Sequence, residues 1–306
     1  MPGPVVAVVG PTAAGKTALS LELADALGGE VVNADSMQLY RGMDIGTAKL
    51  PVAQRRGVAH HVLDLWEVSE PASVAVYQAA ARAAVDDVLA RGRVPLLVGG
   101  SGLYVRAVLD DFEFPGTDPA LRAALEQELA ACGPAPLHAR LALADAAAAA
   151  RILPTNGRRI VRALEVVTLT GAPFAAALPD PRPVYDAVQI GVDADPPALD
   201  ARVGERVEVM WRAGFVEEVR SLVGRGLREG RTASRALGYQ QILRFLAGEC
   251  TEDEARLETI RATRRFVRRQ RSWFRRDPRI GWLDPAASDV MDQALVLVRA
   301  GTRAVR

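Results

Sequence analysis

The sequence predicts an α/β fold, a parallel sheet flanked by helices that carries an inserted all-helical subdomain. Three observations support this. Val5-Val6-Ala7-Val8-Val9 is a continuous, mostly β-branched apolar run that leads straight into a glycine-rich loop and an amphipathic helix. Short apolar runs of the same kind return at residues 30–34, 94–98 and 187–192, with helical stretches among them, the alternation that builds parallel sheets. Between Phe112 and about Pro183 strand-like runs disappear and alanine rises. The expected division is therefore 1–111 with 184–306 for the sheet domain and 112–183 for the helical insertion.

The loop after the first strand is Gly10-Pro11-Thr12-Ala13-Ala14-Gly15-Lys16-Thr17, a full match to GxxxxGK[ST]. The segment that follows, ALSLELADALGG, places apolar residues at 19, 23 and 27 before a Gly-Gly stop. Strand, loop and helix in this order make a phosphate-binding loop and a P-loop NTPase-like sheet. Backbone N–H groups wrap the anion, the helix N-terminus faces it, and lysine meets the terminal phosphates. Thr17 would be the hydroxyl ligand of a magnesium ion, the Mg2+ cofactor such loops use.

Residues 30–34 form the next strand, with Asp35-Ser36-Met37-Gln38 at its C-terminal end, where parallel sheets bind ligands. By position Asp35 is a general base, an indirect magnesium holder, or a cap on a following helix. Ser36 and Gln38 suit the edge of a nucleobase. The strand at 94–98 ends in Gly99-Gly100-Ser101-Gly102 with no acid, which counts against nucleotide hydrolysis. Ser101 there is either a functional hydroxyl or a helix cap. In the insertion, helices are expected at 121–131 and 137–153, broken by Gly133-Pro134, and at 156–170. Near the C-terminus, residues 256–279 hold ten arginines against two acids, with Phe266, Trp273 and Phe274 interleaved. This reads as an amphipathic helix with Phe266 and Trp273 on its core face and arginines on a face suited to RNA phosphates.

Composition narrows the rest. The 306 residues carry 38 basic and 37 acidic side chains, are 49% apolar and 25% charged, and describe an ordinary globular protein rather than a disordered one. No apolar run reaches the roughly 18 residues of a membrane span, and the N-terminus lacks a secretory pattern. The expectation is a cytoplasmic protein with no membrane partner. Cys132 and Cys250 belong to no CxxC pair. His60 and His61 are adjacent and His138 stands apart, so no metal site is assigned to them. Apart from Lys16 and Lys49, every basic side chain is arginine, which singles out those two lysines.

Taken together, residues 10–17, 35–49 (Asp-Ser-Met-Gln-Leu-Tyr-Arg-Gly-Met-Asp-Ile-Gly-Thr-Ala-Lys) and 99–104 resemble the bacterial tRNA dimethylallyltransferase family. Further matches are His60-His61-Val-Leu-Asp64, Arg159-Ile160-Val161-Arg162-Ala-Leu-Glu165, Leu237-Gly-Tyr-Gln240-Gln241 and Arg265 through Arg275. The resemblance runs in order over nearly the whole chain, and the block at 35–49 is its most specific part. It implies transfer of a dimethylallyl group from dimethylallyl diphosphate to the exocyclic amine of adenosine 37 in tRNA. Asp35 would be the base, and Ser101, where most members carry threonine, would lie near the reacting atoms. Lys16, Thr17 and the loop would take the diphosphate together with Arg206, for which Arg202 and Arg220 compete. Contacts to the tRNA anticodon stem-loop are implied for Asp35, Ser36, Met37, Gln38, Ser101, Arg122, Arg158, Arg159, Ile160, Val161, Arg162, Gln240, Arg265, Arg268 and Arg269. Arg158 stands where the family usually has glutamine. A monomer is expected. The rival readings are a P-loop small-molecule kinase, a non-catalytic RNA-binding module, and a prenyltransferase acting on free adenine nucleotides.

Overall fold

A computed structural model of the chain describes residues 4–175 and 180–304, with side chains to residue 301. It contains two compact units, one of the residues up to Asp111 and from Pro183 onward, the other Phe112–Arg182.

The first unit is built on six parallel strands, β1 (Val5–Val9), β2 (Gly29–Asn33), β3 (His60–His61), β4 (Val94–Gly99), β5 (Ala187–Val192) and β6 (Ile280–Leu283), in the order β3-β2-β4-β1-β5-β6. β1 is central and fully buried, which is why its sequence is apolar without alternation. Val5, Ala7 and Val9 enter one core with Tyr77, Leu97, Phe215 and Tyr239, while Val6 and Val8 enter the other with Leu23, Leu96, Ile190 and Leu199. In register, Val8 lies opposite Val98 of β4 and Ile190 of β5.

Helix α1 (Lys16–Leu27) buries Leu19 and Leu23 and stops at Gly28, whose left-handed conformation sends its N–H to the Ala24 carbonyl. α2 (Val74–Ala90) and α3 (Gly102–Leu109) follow β3 and β4. Because every strand points the same way, the turns after β1, β2, β4 and β5 gather at one end of the sheet. Gly10 makes this packing possible: its φ is 140°, and a Cβ there would lie 2.2 Å from the Val192 carbonyl oxygen. No helix follows Asp35, contrary to the cap reading, since residues 36–39 form a bend and turn.

The second unit contains α4 (Pro119–Cys132), α5 (Pro134–Ala144), α6 (Ala146–Arg151) and α7 (Gly157–Thr170), packed on Leu125, Leu137, Leu141, Ile152, Ile160 and Leu164. The single helix expected over 137–153 is instead two. Asp145 divides them, its Oδ1 accepting the Ala148 N–H at 2.9 Å and its Oδ2 the Phe174 N–H at 2.7 Å. A short acceptor that satisfies a new helix start outcompetes continuation of the old helix.

The C-terminal part of the first unit adds α8 (Pro196–Arg212), α9 (Phe215–Val223), α10 (Tyr239–Leu246), α11 (Glu252–Phe274) and α12 (Val290–Ala304). α11 starts with a capping box, Thr251 Oγ1 accepting the Glu254 N–H and Glu254 accepting that of Thr251, and three acids occupy its first turn. Its packed face is Ala255, Thr259, Ala262, Val267, Gln270 and Phe274. The expectation for Phe266 and Trp273 is corrected here. Both lie on the inward stripe, yet Phe266 borders a cavity and Trp273 remains 40% exposed above Gly102, because this stretch of the stripe faces the open end of the sheet. Among the described residues no helix is long and apolar enough to cross a membrane.

Candidate active site

Two cavities open at the C-terminal end of the sheet. The smaller, of about 80 Å³, is polar and includes Lys16, Thr17, Asn33, Gln38 and His60 in its wall. The larger, of about 320 Å³, has apolar walls from Val203, Val207, Met210, Phe215, Tyr239 and Phe266, with Ser36, Met37 and Ser101 also lining it. Thr12, Asp35 and Arg206 border both.

The phosphate loop contributes the first of two cations. Lys16 begins α1 and its ammonium donates to the Pro11 carbonyl at 2.7 Å. Burial pulls its pKa down to about 8, the neighbouring Arg206 pushes the same way, and Asp35 opposes both. Arg206, on α8, is held below its ordinary value by burial, again with Asp35 opposing. Neither cation has an ion-pair partner among the described residues. Two shielded positive charges facing one carboxylate form a site that lacks about one negative charge, the electrostatic condition for binding an anion. Arg202, by contrast, lines neither cavity, and Arg220 pairs with Glu217 on the surface, so of these three arginines Arg206 is the one that borders the site.

Asp35 is fixed from several sides. Asn33, the last residue of β2, accepts the Asp35 N–H at 2.9 Å and donates to the carbonyls of Asp35 and Val62, while Tyr77 donates to the Asn33 carbonyl. Asp35 Oδ1 accepts the Met37 N–H at 3.0 Å. Among the described residues no hydrogen bond is made to Oδ2, which borders both cavities with the rest of the side chain. Ser101 sits at the N-cap position of α3 but makes no side-chain cap; its hydroxyl accepts the Ser36 N–H and donates to Ser36 Oγ, each at 3.2 Å. The two hydroxyls and Asp35 thus share one wall.

Three residues that sequence reasoning did not assign complete the site. Glu218 of α9 accepts the N–H groups of Asp44, Ile45 and Gly46 and the Tyr239 hydroxyl, and so anchors the loop whose Gly46 and Thr47 wall the larger cavity. Arg235 lines the same cavity. Gln270 of α11 accepts the Thr12 N–H at 2.9 Å, so this amide of the loop is already engaged and does not point at an anion, contrary to the simplest expectation for Thr12. Lys49, the other lysine, is buried against Asp44, Asp64 and the Tyr40 carbonyl, a structural clasp.

The residues expected at RNA separate into groups. Gln240, Arg265 and Arg269 come together in a shallow groove that shares Leu237 and Arg269 with the large cavity, and the Arg269 guanidinium lies 5.6 Å over the Phe266 ring. Arg268 is turned away to Asp200 at 3.0 Å. In the helical unit Arg158 and Arg159 are exposed, whereas Arg122 and Arg162 both bond the buried Glu165 at 2.7 Å. Ile160 and Val161 are corrected: their side chains are 0% and 1% exposed in the helical core, because they occupy the apolar face of α7, and they cannot meet RNA.

Comparisons with known proteins agree with this geometry. The family model "IPP transferase" matches residues 38–277, and "Isopentenyl transferase" matches residues 3–70. The tRNA dimethylallyltransferase of Salinispora arenicola is 74% identical over 98% of this chain and 88% of its own length. A solved full-length tRNA isopentenylpyrophosphate transferase from Bacillus halodurans is 37% identical, covers 99% of both chains and superposes with a TM-score of 0.73. A eukaryotic dimethylallyltransferase acting on tRNA superposes at 0.83 over 99% of this chain and 80% of its own, at 23% identity, a likeness of fold. With its P-loop-like parallel sheet, its paired cations beside an oriented carboxylate and a family match over most of its length, the chain belongs to the IPP transferase family, the prenyl-transferring tRNA dimethylallyltransferases.

Proposed function

We propose that this chain transfers the dimethylallyl group of dimethylallyl diphosphate to the exocyclic amine of adenosine 37 in tRNA and releases diphosphate. The observation that carries the reading is the unpaired couple Lys16 and Arg206 facing Asp35 where the two cavities meet. The diphosphate occupies the polar cavity and compensates the couple. The adenine enters through the larger cavity, beside Phe266 and Arg269. Its amine attacks C1 of the prenyl group, the C1–oxygen bond breaks, and the electron pair leaves on the diphosphate. The amine proton passes to Asp35 Oδ2. Adenine's amine is weakly nucleophilic because its lone pair is delocalised, and general-base help is worth about 10²–10⁴ in rate. Charge that grows on the leaving group is met by Lys16 and Arg206 more strongly than in the ground state. The Ser101 hydroxyl lies on the wall where the bridging oxygen departs.

Magnesium fits the donor set. Thr17, in the first turn of α1 and in the wall of the polar cavity, offers the hard hydroxyl oxygen that would hold the ion beside the phosphate oxygens. When bound, Mg2+ neutralises diphosphate charge. The tRNA anticodon stem-loop rests on the Gln240–Arg265–Arg269 groove of the sheet unit, and the protein works as a cytoplasmic monomer.

Two other readings have less support. Against a kinase, the strand beside β1 carries no acid at its end, since β4 runs into Gly-Gly-Ser-Gly, and the cavity next to the phosphate site has apolar walls that suit a prenyl chain. A prenyltransferase for free adenine nucleotides has no use for an arginine groove outside the cavity. The test uses purified protein, magnesium, labelled dimethylallyl diphosphate and unmodified tRNA, beside free adenosine monophosphate and labelled ATP. Label confined to tRNA at the adenosine next to the anticodon supports the proposal. Label in the mononucleotide, or phosphate transfer from ATP, overturns it.

A further inference from the structure

Gln270 is buried, 5% exposed, near the C-terminal end of the arginine-rich helix, yet its carboxamide reaches two turns of the candidate site at once. Oε1 accepts the Thr12 N–H of the phosphate loop at 2.9 Å, and Nε2 donates to the Gly100 carbonyl, beside Ser101, at 2.9 Å. The two partners lie 258 and 170 residues away in sequence. Each end of the carboxamide is engaged, the oxygen by an N–H donor and the nitrogen by a carbonyl acceptor, so the amide has one orientation. The loop it holds carries Ala13 at φ 66°, a left-handed conformation that costs a non-glycine residue energy and persists only where neighbours enforce it. Gly100 is shaped to the clamp. A Cβ there would lie 2.4 Å from Gln270 Nε2 and 3.2 Å from the Gly10 carbonyl oxygen.

We propose that Gln270 is a positioning residue for prenyl transfer, locking the phosphate loop and the Ser101 turn into one rigid unit and tying both to α11. The side chain touches no substrate. It fixes the distance between the group that holds the leaving diphosphate and the hydroxyl on the opposite wall, and a misplacement of about 1 Å between reacting parts can cost about 10²-fold in rate. It also joins the site to α11, the helix that carries Arg265 and Arg269. This role rests on the transfer reaction proposed above.

The test compares wild type with Gln270→Met, which keeps shape and loses both hydrogen bonds, and with Gly100→Ala, which presses on the clamp from the opposite side. The measurements are kcat and KM for labelled dimethylallyl diphosphate with tRNA, tRNA affinity, pyrophosphate affinity by calorimetry, and thermal unfolding. Each variant should lower kcat at least tenfold and weaken pyrophosphate several-fold while tRNA affinity stays within twofold. The double variant should be little worse than either alone, because both break the same clamp. Three results overturn the proposal: kcat and KM within twofold of wild type for Gln270→Met; losses in kcat and tRNA affinity together that track the unfolded fraction; or fully multiplicative effects in the double variant. Wild type that labels no tRNA would defeat the function proposed above, whereas the pyrophosphate affinities of the variants would still report on the clamp.

Discussion

The two lysines of this chain occupy opposite kinds of surroundings. Lys49 has its ammonium 2.6 Å from Asp44, 2.7 Å from Asp64 and 3.0 Å from the Tyr40 carbonyl. Lys16 has a carbonyl at 2.7 Å, Arg206 beside it, and Asp35 as the opposing charge. A buried cation with its counter-charges supplied from within is scaffold; one left short of them is, under the function proposed above, half of a binding site that the diphosphate completes. The difference separates structure from function in a chain where every other basic residue is arginine.

The largest effects are expected at the site itself. Asp35→Ala should reduce turnover by two or more decades with pyrophosphate affinity nearly unchanged, checked by single-turnover transfer and calorimetry; unchanged turnover would remove Asp35 as the base. Next, Lys16→Met should weaken dimethylallyl diphosphate by about 10²-fold, the size of a lost charge-assisted contact, with the fold intact. Lys49→Met should do the reverse, costing about 1–3 kcal/mol of stability in chemical denaturation, since its half-exposed carboxylates regain some water, and changing ligand affinity little.

A pH titration sharpens the contrast. Folded Lys16 has a pKa of about 8, below its ordinary 10.5, so the unfolded chain holds the proton more tightly. The destabilisation is therefore complete below pH 8 and is relieved as pH rises from about 8 toward 10.5. Relative to wild type, Lys16→Met should be more stable at pH 7 and should lose that advantage across this window. Diphosphate affinity of wild type should fall above pH 8, by up to about tenfold per unit, as the free lysine loses its charge. The smallest effects belong to the rim. Arg269→Ala should weaken tRNA several-fold and reduce the slope of affinity against salt, while Arg265→Ala and Arg268→Ala, whose guanidiniums are already paired with Glu258 at 2.6 Å and Asp200 at 3.0 Å, should change it less.

Much of the sheet and the loop was legible because their signals are local. Val5–Val9 is buried on both faces and reads as such, and the loop's glycines and lysine are adjacent in sequence. Asp35 was legible as a residue at a strand end, and its orientation by Asn33 two residues earlier was within reach of the same reading. What escaped was set by partners distant in sequence. Gln270 meets Thr12 and Gly100, and Glu218 caps backbone groups at 44–46, neither of which a linear pattern marks. Helical spacing put Phe266 and Trp273 on the inward side correctly, but no spacing tells whether that side meets a core or a cavity. The helix split at Asp145 depended on a competition between capping and continuation that alanine-rich propensity hides.

The most direct measurement is a calorimetric titration of dimethylallyl diphosphate into wild type, Lys16→Met and Lys49→Met at pH 7, with the unfolding temperature of each. The expected result is a crossed pattern: Lys16→Met binds about 10²-fold more weakly and melts no lower than wild type, while Lys49→Met binds nearly normally and melts lower. Equal binding by wild type and Lys16→Met would contradict the assignment of the unpaired cations to the leaving diphosphate.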